Sequence, residues 1–328
     1  MTNLIATINT KDPARYRKRR CFDTEDFIIF VLTHTLTYWQ VTARRPATAD
    51  GVTDAAKIRA LCTTGRLDCA DGDLALRTES NAVDAVHRDM SIHTINDLQR
   101  DFFLESALVT RGIMHLNNYL RDDAPKRPFL TSRAATRMPA LTSSRALDLI
   151  QHFGVAPTSE MATAVATAAY LCGYGALPGE KMSCAASADA MATFVSGELG
   201  SHVKVLSTSN TPSSAGPAGK APVTIVDVTK GSIAEGEKIV VCHVVNFPSA
   251  LYYCHRVTGT KVIRVTLDAG NDSELIKAVG ICHLDTSLWL STHPAFNALN
   301  IPRGDEACHM LIDSDLVFVP TPNETKLE

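Results

Sequence analysis

This chain contains four Cys-His dipeptides, whose side chains could bind a metal ion or form disulfides. They are Cys242-His243, Cys254-His255, Cys282-His283 and Cys308-His309. Random placement of 9 Cys and 11 His among 328 residues would give only about 0.3 adjacent pairs. Imidazole nitrogens bind copper, zinc and nickel, whereas thiols bind metals or form disulfides. The spacing is not that of a zinc finger, in which two ligands lie within about four residues of each other.

These dipeptides lie in segments typical of β-strands. Residues 239–245, 250–255 and 278–284 are rich in β-branched, aromatic and other apolar side chains, and turn residues such as Pro248 separate the first two. Successive side chains of a strand point to opposite faces, so a Cys and the His that follows it cannot easily bind the same ion. The pattern predicts the four Cys on one face, as disulfides or core residues, and the four imidazoles on the other.

The register of the first two strands decides whether this division holds. A hairpin around Pro248 with an even loop would place Cys242 opposite His255 and mix Cys with His on each face. A three-residue loop or a bulge would instead place His243 opposite His255. The residues alone leave both registers open. They also leave open the choice between a four-His metal site and a disulfide framework with incidental His.

Helical patterns precede the strands. Capping serines or threonines, apolar spacing and terminal glycines predict helices over 144–153, 159–170 and 185–199. Cys172 and Cys184, between the last two helices, suit a disulfide across a loop. Predicted strands follow at 222–229, 238–246, 250–256, 261–267, 277–284, 308–312 and 315–319. Helices followed by strands predict an α+β fold, in which a helical N-terminal half precedes an antiparallel, β-rich Cys-His half.

The N-terminal hundred residues have a different character. Residues 1–43 have two interpretations: a secretory signal that is cleaved after Ala43, or a buried strand or short helix. The formal charge of −3 gives no reason to expect a nucleic-acid partner. No apolar run reaches the roughly 20 residues of a membrane-spanning helix. Three cysteines receive no role, namely Cys21, Cys62 and Cys69.

The chain resembles the plant BURP-domain family, whose signature is four Cys-His pairs at about these spacings. Three further segments carry the resemblance: 102–114, 172–191 and 282–296. The resemblance implies a variable segment at 1–100, a BURP domain at 101–320 and a tail at 321–328. Phe318 stands where the family usually has Trp, and we expect this aromatic side chain to keep the packing.

The resemblance implies two classes of function. Most members are cell-wall, vacuolar or seed proteins linked to development and stress. They favour a non-catalytic secretory protein with a disulfide-stapled, metal-binding Cys-His scaffold. A subset are copper-dependent cyclases that crosslink Tyr or Trp side chains of a core peptide, often within their own N-terminal segment. We favour the first class, because no convincing core peptide precedes residue 101, and we leave enzyme activity open.

The resemblance also assigns residues. The copper ligands of the cyclases would correspond to His243, His255, His283 and His309 here, which favours the register that places His243 opposite His255. The disulfide candidates are Cys172, Cys184, Cys242, Cys254, Cys282 and Cys308. The aromatic pair Tyr38-Trp39 is the candidate crosslinking target, and we favour a structural role for it over crosslinking.

Localisation and partners follow from the same resemblance. It implies the secretory pathway, ending in the cell wall or vacuole, with wall polysaccharide or wall proteins as partners. If residues 1–43 are not a signal peptide, a cytoplasmic location is the alternative. Asn271 and Asn323 begin N-x-S/T sequons and are the candidates for glycosylation.

Overall fold

A computed structural model describes residues 68–70, 102–176, 179–212, 220–230, 238–257, 259–270 and 274–321. All of them belong to one compact unit of the chain, Arg44–Glu328. Several sequence predictions fall outside these residues: the signal segment at 1–43, the pair Tyr38-Trp39, the sequons at Asn271 and Asn323, and the unassigned Cys21 and Cys62. Cys69 lies in the first strand described below.

Twelve strands within the described residues form two six-stranded sheets. The strands are β1 (Asp68–Ala70), β2 (Phe102–Phe103), β3 (Ile113–Asn117), β4 (Lys181–Ala185), β5 (His202–Leu206), β6 (Lys220–Lys230), β7 (Ile239–Val244), β8 (Tyr252–Val257), β9 (Thr260–Asp268), β10 (Ile276–His283), β11 (Ala307–Met310) and β12 (Leu316–Pro320). The first sheet has the order β1-β5-β12-β7-β8-β4, and the second has the order β2-β11-β10-β9-β6-β3.

Five α-helices accompany the sheets in the described part of the chain. They are α1 (Ser132–Ala135), α2 (Ala146–His152), α3 (Glu160–Tyr174), α4 (Ala188–Leu199) and α5 (Pro294–Leu299). The Ser159 hydroxyl accepts a hydrogen bond from the Ala162 N–H at the start of α3, and Ser187 does the same for Ala190 at the start of α4. These caps satisfy N–H groups that have no partner within the helix.

The predicted mixture of helices and antiparallel sheet is confirmed, but a helical N-terminal half is not supported. The segment that carries α1 to α4 also supplies β2, β3 and β4, which pair with β11, β6 and β8 of the C-terminal part. Residues 181–184 were predicted as part of a loop and residue 185 as the start of a helix, but they form β4, and α4 begins at Ala188. All strand pairs are antiparallel except β1 with β5.

The two sheets pack face to face through an apolar layer. Val241, Ile239 and Val317 of the first sheet contact Val279 and Ile281 of the second within this layer. Burial of these side chains stabilises the sandwich, because apolar area leaves water when the sheets meet. The layer fixes which side of each strand faces the other sheet.

A second layer covers the outer face of the first sheet. There α4 packs Met191 and Val195 against Val240, Cys242 and Phe318. Phe318 is fully buried, so the aromatic side chain fills the position where the family usually has Trp, as expected.

Candidate metal centre

Each sheet carries one cross-strand disulfide built from two Cys-His pairs. Cys242 of β7 lies directly opposite Cys254 of β8, and the two form a disulfide with a Cα–Cα distance of 3.9 Å. Cys282 of β10 lies directly opposite Cys308 of β11 and forms the equivalent bond, also with 3.9 Å between the Cα atoms. All four sulfurs are on the outer faces of the sandwich, where they belong to the outer apolar layers.

The predicted register of the first hairpin was wrong by two residues. His243 lies opposite Tyr253, and His255 lies opposite Val241, so the two histidines form a diagonal pair and do not face each other directly. The Val245 N–H donates to the Leu251 carbonyl and closes an odd-numbered loop centred on Pro248. A shift of two residues leaves every side chain on its predicted face, since the period of a strand is two.

The inner faces bring the four histidines together. Their ring centroids are 5.3 Å apart for His243 and His255, 5.7 Å for His243 and His309, and 5.6 Å for His283 and His309. His243 and His255 come from the first sheet, and His283 and His309 come from the second. The group therefore lies at one end of the layer between the sheets, on the same faces as Val241 and Ile281.

Three of the four imidazoles are oriented by an acceptor at Nδ1. His243 Nδ1 lies 3.2 Å from Asp315 Oδ2, and His255 Nδ1 lies 2.5 Å from Glu180 Oε1. His309 Nδ1 lies 3.3 Å from its neighbour's carbonyl oxygen. An acceptor at Nδ1 favours the tautomer with the proton on that nitrogen and the lone pair on Nε2.

Two imidazole nitrogens of the group are buried without a hydrogen-bond partner, His255 Nε2 and His283 Nδ1. Buried polar atoms usually have a partner, so such orphans need a physical explanation. Burial, aided by the neighbouring histidines, lowers the pKa of His283 to about 3. His283 is therefore neutral at physiological pH, which is the form of imidazole that binds metals. The donor set fits a transition-metal ion such as copper.

Aromatic side chains lie beside two of the four histidines. The Trp289 ring centroid is 4.9 Å from that of His283 and 4.1 Å from that of His293. Tyr253 lies 5.4 Å from His255, and burial, with the nearby charge of Glu180, raises the pKa of its hydroxyl. The tyrosine is therefore protonated at neutral pH.

A second set of potential ligands does not suit a metal ion. Glu306 lies near the sulfurs of Cys282 and Cys308. Both sulfurs are in a disulfide, and the thiolate is the form that binds metals. The remaining disulfide joins Cys172, within α3, to Cys184 of β4, so its partners lie in a helix and a strand and not in a loop as predicted.

Sequence reasoning missed the two carboxylates of the site. Glu180 precedes β4, 75 residues before His255, and Asp315 precedes β12, 72 residues after His243. Neither residue belongs to a periodic pattern or a metal-ligand spacing. Only their hydrogen bonds in the folded chain reveal a role.

Each sheet contains one disulfide between two Cys-His pairs, and the histidines of these pairs lie between the sheets. This arrangement is that of a two-sheet, disulfide-bonded domain. The BURP domain profile matches residues 101–320. The chain belongs to the BURP domain family.

Curated plant proteins are similar to this chain over the same region. The polygalacturonase non-catalytic subunit AroGP2 of Solanum lycopersicum is 34% identical over 219 residues, which are 66% of this chain and 34% of that protein. The BURP domain protein RD22 of Arabidopsis thaliana is 32% identical over 220 residues, 66% of this chain and 55% of that protein. The chain thus covers about a third of the length of the tomato relative.

Within the residues that the structure describes, no helix is both long and apolar enough to cross a bilayer.

Proposed function

We propose that this chain is a non-catalytic, secretory BURP protein of the plant cell wall, whose disulfide-stapled scaffold binds a transition-metal ion through four histidines. The observation that carries the proposal is the convergence of His243, His255, His283 and His309 from two different sheets. Roles in development or stress response stay predictions from the family resemblance.

The disulfides support the secretory location. Three disulfides in one domain are typical of proteins that fold in an oxidising compartment, because cytosolic thiols are kept reduced. The signal peptide at 1–43 stays a prediction. Secretion places the chain where wall polysaccharide and wall proteins are available.

The names of the relatives support a non-catalytic role. AroGP2 is named as a non-catalytic subunit of polygalacturonase, so we propose a wall polygalacturonase as the partner of this chain. Size-exclusion chromatography of the purified chain with a purified polygalacturonase tests this directly. A shared, earlier-eluting peak supports the partnership, and independent elution over the whole concentration range contradicts it.

Copper is the ion we favour, because imidazole-rich sites suit it and because the family resemblance implies it. When bound, copper supplies one-electron redox chemistry. The side chains of this domain would hold the ion with neutral imidazoles and shield it with Trp289. The alternative function, a copper-dependent cyclase acting on Tyr38-Trp39, would use the same four histidines. The non-catalytic names of the relatives favour the first function.

Metal content measured after copper loading and desalting tests the proposed site. The wild type should retain about one copper ion per chain through its imidazoles, and the double variant His243→Ala/His283→Ala should lose it. His115→Ala is the matched control, since His115 is an exposed residue of β3, at the far edge of the second sheet. Unchanged copper content in a folded double variant would refute the four-His site.

Mass spectrometry separates the two functions. Copper-loaded protein supplied with oxygen is digested, and the peptide that contains Tyr38-Trp39 is weighed. An unchanged mass with copper bound agrees with the non-catalytic function. Loss of two hydrogens from that peptide would overturn it in favour of the cyclase.

A further inference from the structure

The histidines of the two sheets differ in the hydrogen-bond partners of their Nδ1 atoms. In the first sheet both Nδ1 atoms face a carboxylate: Asp315, which is fully buried, and Glu180, whose side chain is 9% exposed. In the second sheet, His309 Nδ1 has a backbone carbonyl at 3.3 Å, whereas His283 Nδ1 is one of the buried atoms without a partner.

The carboxylates determine which nitrogen of each first-sheet imidazole carries the proton and which carries the lone pair. A carboxylate can only accept a hydrogen bond, so Nδ1 of His255 carries the proton and Nε2 carries the lone pair. That Nε2 is buried and has no hydrogen-bond partner. A buried nitrogen with such a lone pair can coordinate a cation.

Asp315 is itself held in place. Its Oδ1 accepts a hydrogen bond of 2.9 Å from the Val244 N–H, next to His243 in β7, while Oδ2 faces the ring. Its own N–H donates to the Ile312 carbonyl and fixes the turn before β12. The carboxylate therefore links the position of the ring to the backbone of both strands.

We infer that Asp315 and Glu180 are positioning residues of the metal site, and that they make His243 and His255 its preorganised half. This inference rests on the proposed function. The partners at Nδ1 fix each ring's orientation and raise the basicity of its Nε2. The two carboxylates also place two negative charges beside the site, which match the charge of a divalent cation.

The test compares three single variants by copper(II) binding. Glu180→Gln and Asp315→Asn remove a charge from the site and keep the size of the side chain. Glu198→Gln is the matched control: its carboxylate is similarly buried at 10% exposure, but it pairs with Lys181 and Arg256 and not with a histidine. Affinity is measured by competition with a chelator, and the copper(II) electron paramagnetic resonance spectrum of each bound form is recorded.

We expect Glu180→Gln and Asp315→Asn to bind copper about 10- to 100-fold more weakly, with altered copper hyperfine splitting, whereas Glu198→Gln behaves as wild type. Wild-type affinity and spectra in both site variants, or an equal loss in all three, would overturn the inference. If Asp315→Asn does not fold, Glu180→Gln decides alone. Failure of the wild type to bind copper would instead refute the proposed function, so the two failures are distinguishable.

Discussion

Replacing Cys242 and Cys254 together with Ala removes the disulfide that lies one residue away from His243 and His255. The disulfide of Cys172 and Cys184 offers a matched comparison, since both bonds close loops with a sequence separation of 12. The second bond joins α3 to β4 and does not join the two strands that carry the histidines. The two double variants therefore remove disulfides that close loops of equal length, and only one of these disulfides joins the strands that carry His243 and His255.

The size of the effect follows from the conformational entropy of the unfolded chain. A crosslink that closes a loop of this length stabilises the folded state by about 3 kcal/mol, because it restricts the unfolded chain. The Cys282–Cys308 bond has a separation of 26 and should contribute about 3.6 kcal/mol. Cys242 and Cys254 are fully buried, so their replacement by Ala also leaves small cavities that add to the loss.

Urea unfolding without reductant measures the stability, and copper competition measures the site. We expect each of these two double variants to lose at least about 3 kcal/mol of unfolding free energy. Only Cys242→Ala/Cys254→Ala should also bind copper more weakly, because this disulfide joins the two strands that carry His243 and His255. A stability loss below about 1 kcal/mol in both variants would refute the entropic account. Equal copper affinity in both would refute the proposed restraint on the histidines.

Three further predictions test separate features of the fold. Copper(II) should quench the fluorescence emission of Trp289, whose ring centroid lies 4.9 Å from that of His283. Quenching of the same size in Trp289→Phe would contradict this. A hydrogen bond from a lysine of β9, opposed by partial burial, lowers the pKa of Glu105. The stability from this ion pair is therefore present above the unfolded-state pKa and is lost as the pH falls through the lowered one. Unfolding free energies measured across the acid range should be less pH-dependent in Glu105→Gln than in wild type, and identical slopes would contradict the prediction. Gly173→Ala should destabilise α3, because the added Cβ would lie 2.9 Å from a backbone Cα. Gly197→Ala, with open space around it, should instead stabilise α4 by about 0.5–1 kcal/mol. Thermal unfolding measures both stability changes, and changes of the same sign would refute the packing argument.

The alternation of Cys and His was predictable because it depends on covalent geometry alone. In any strand, Cys242 and His243 point to opposite faces. The register was not predictable in the same way, since it depends on how the loop around Pro248 closes. The hydrogen bond from Val245 to Leu251 that closes it leaves no signal in the sequence.

The assembly of the site was also beyond sequence reasoning. Glu180 and Asp315 approach the histidines from segments 75 and 72 residues away, and single acidic residues have no periodicity to detect. Similarly, β4 lacks β-branched residues, and it becomes a strand because it pairs with β8. Strand propensity depends on such tertiary pairing more than on the segment itself.

Pulsed electron paramagnetic resonance of the copper(II)-loaded protein identifies the ligands of the ion, because it detects the nitrogen nuclei coupled to it. If the four histidines hold the ion, the wild type shows imidazole couplings, and these weaken in each single Ala variant of His243, His255, His283 and His309. Wild-type couplings in all four folded variants, or spectra without imidazole nitrogen, would contradict the four-His site.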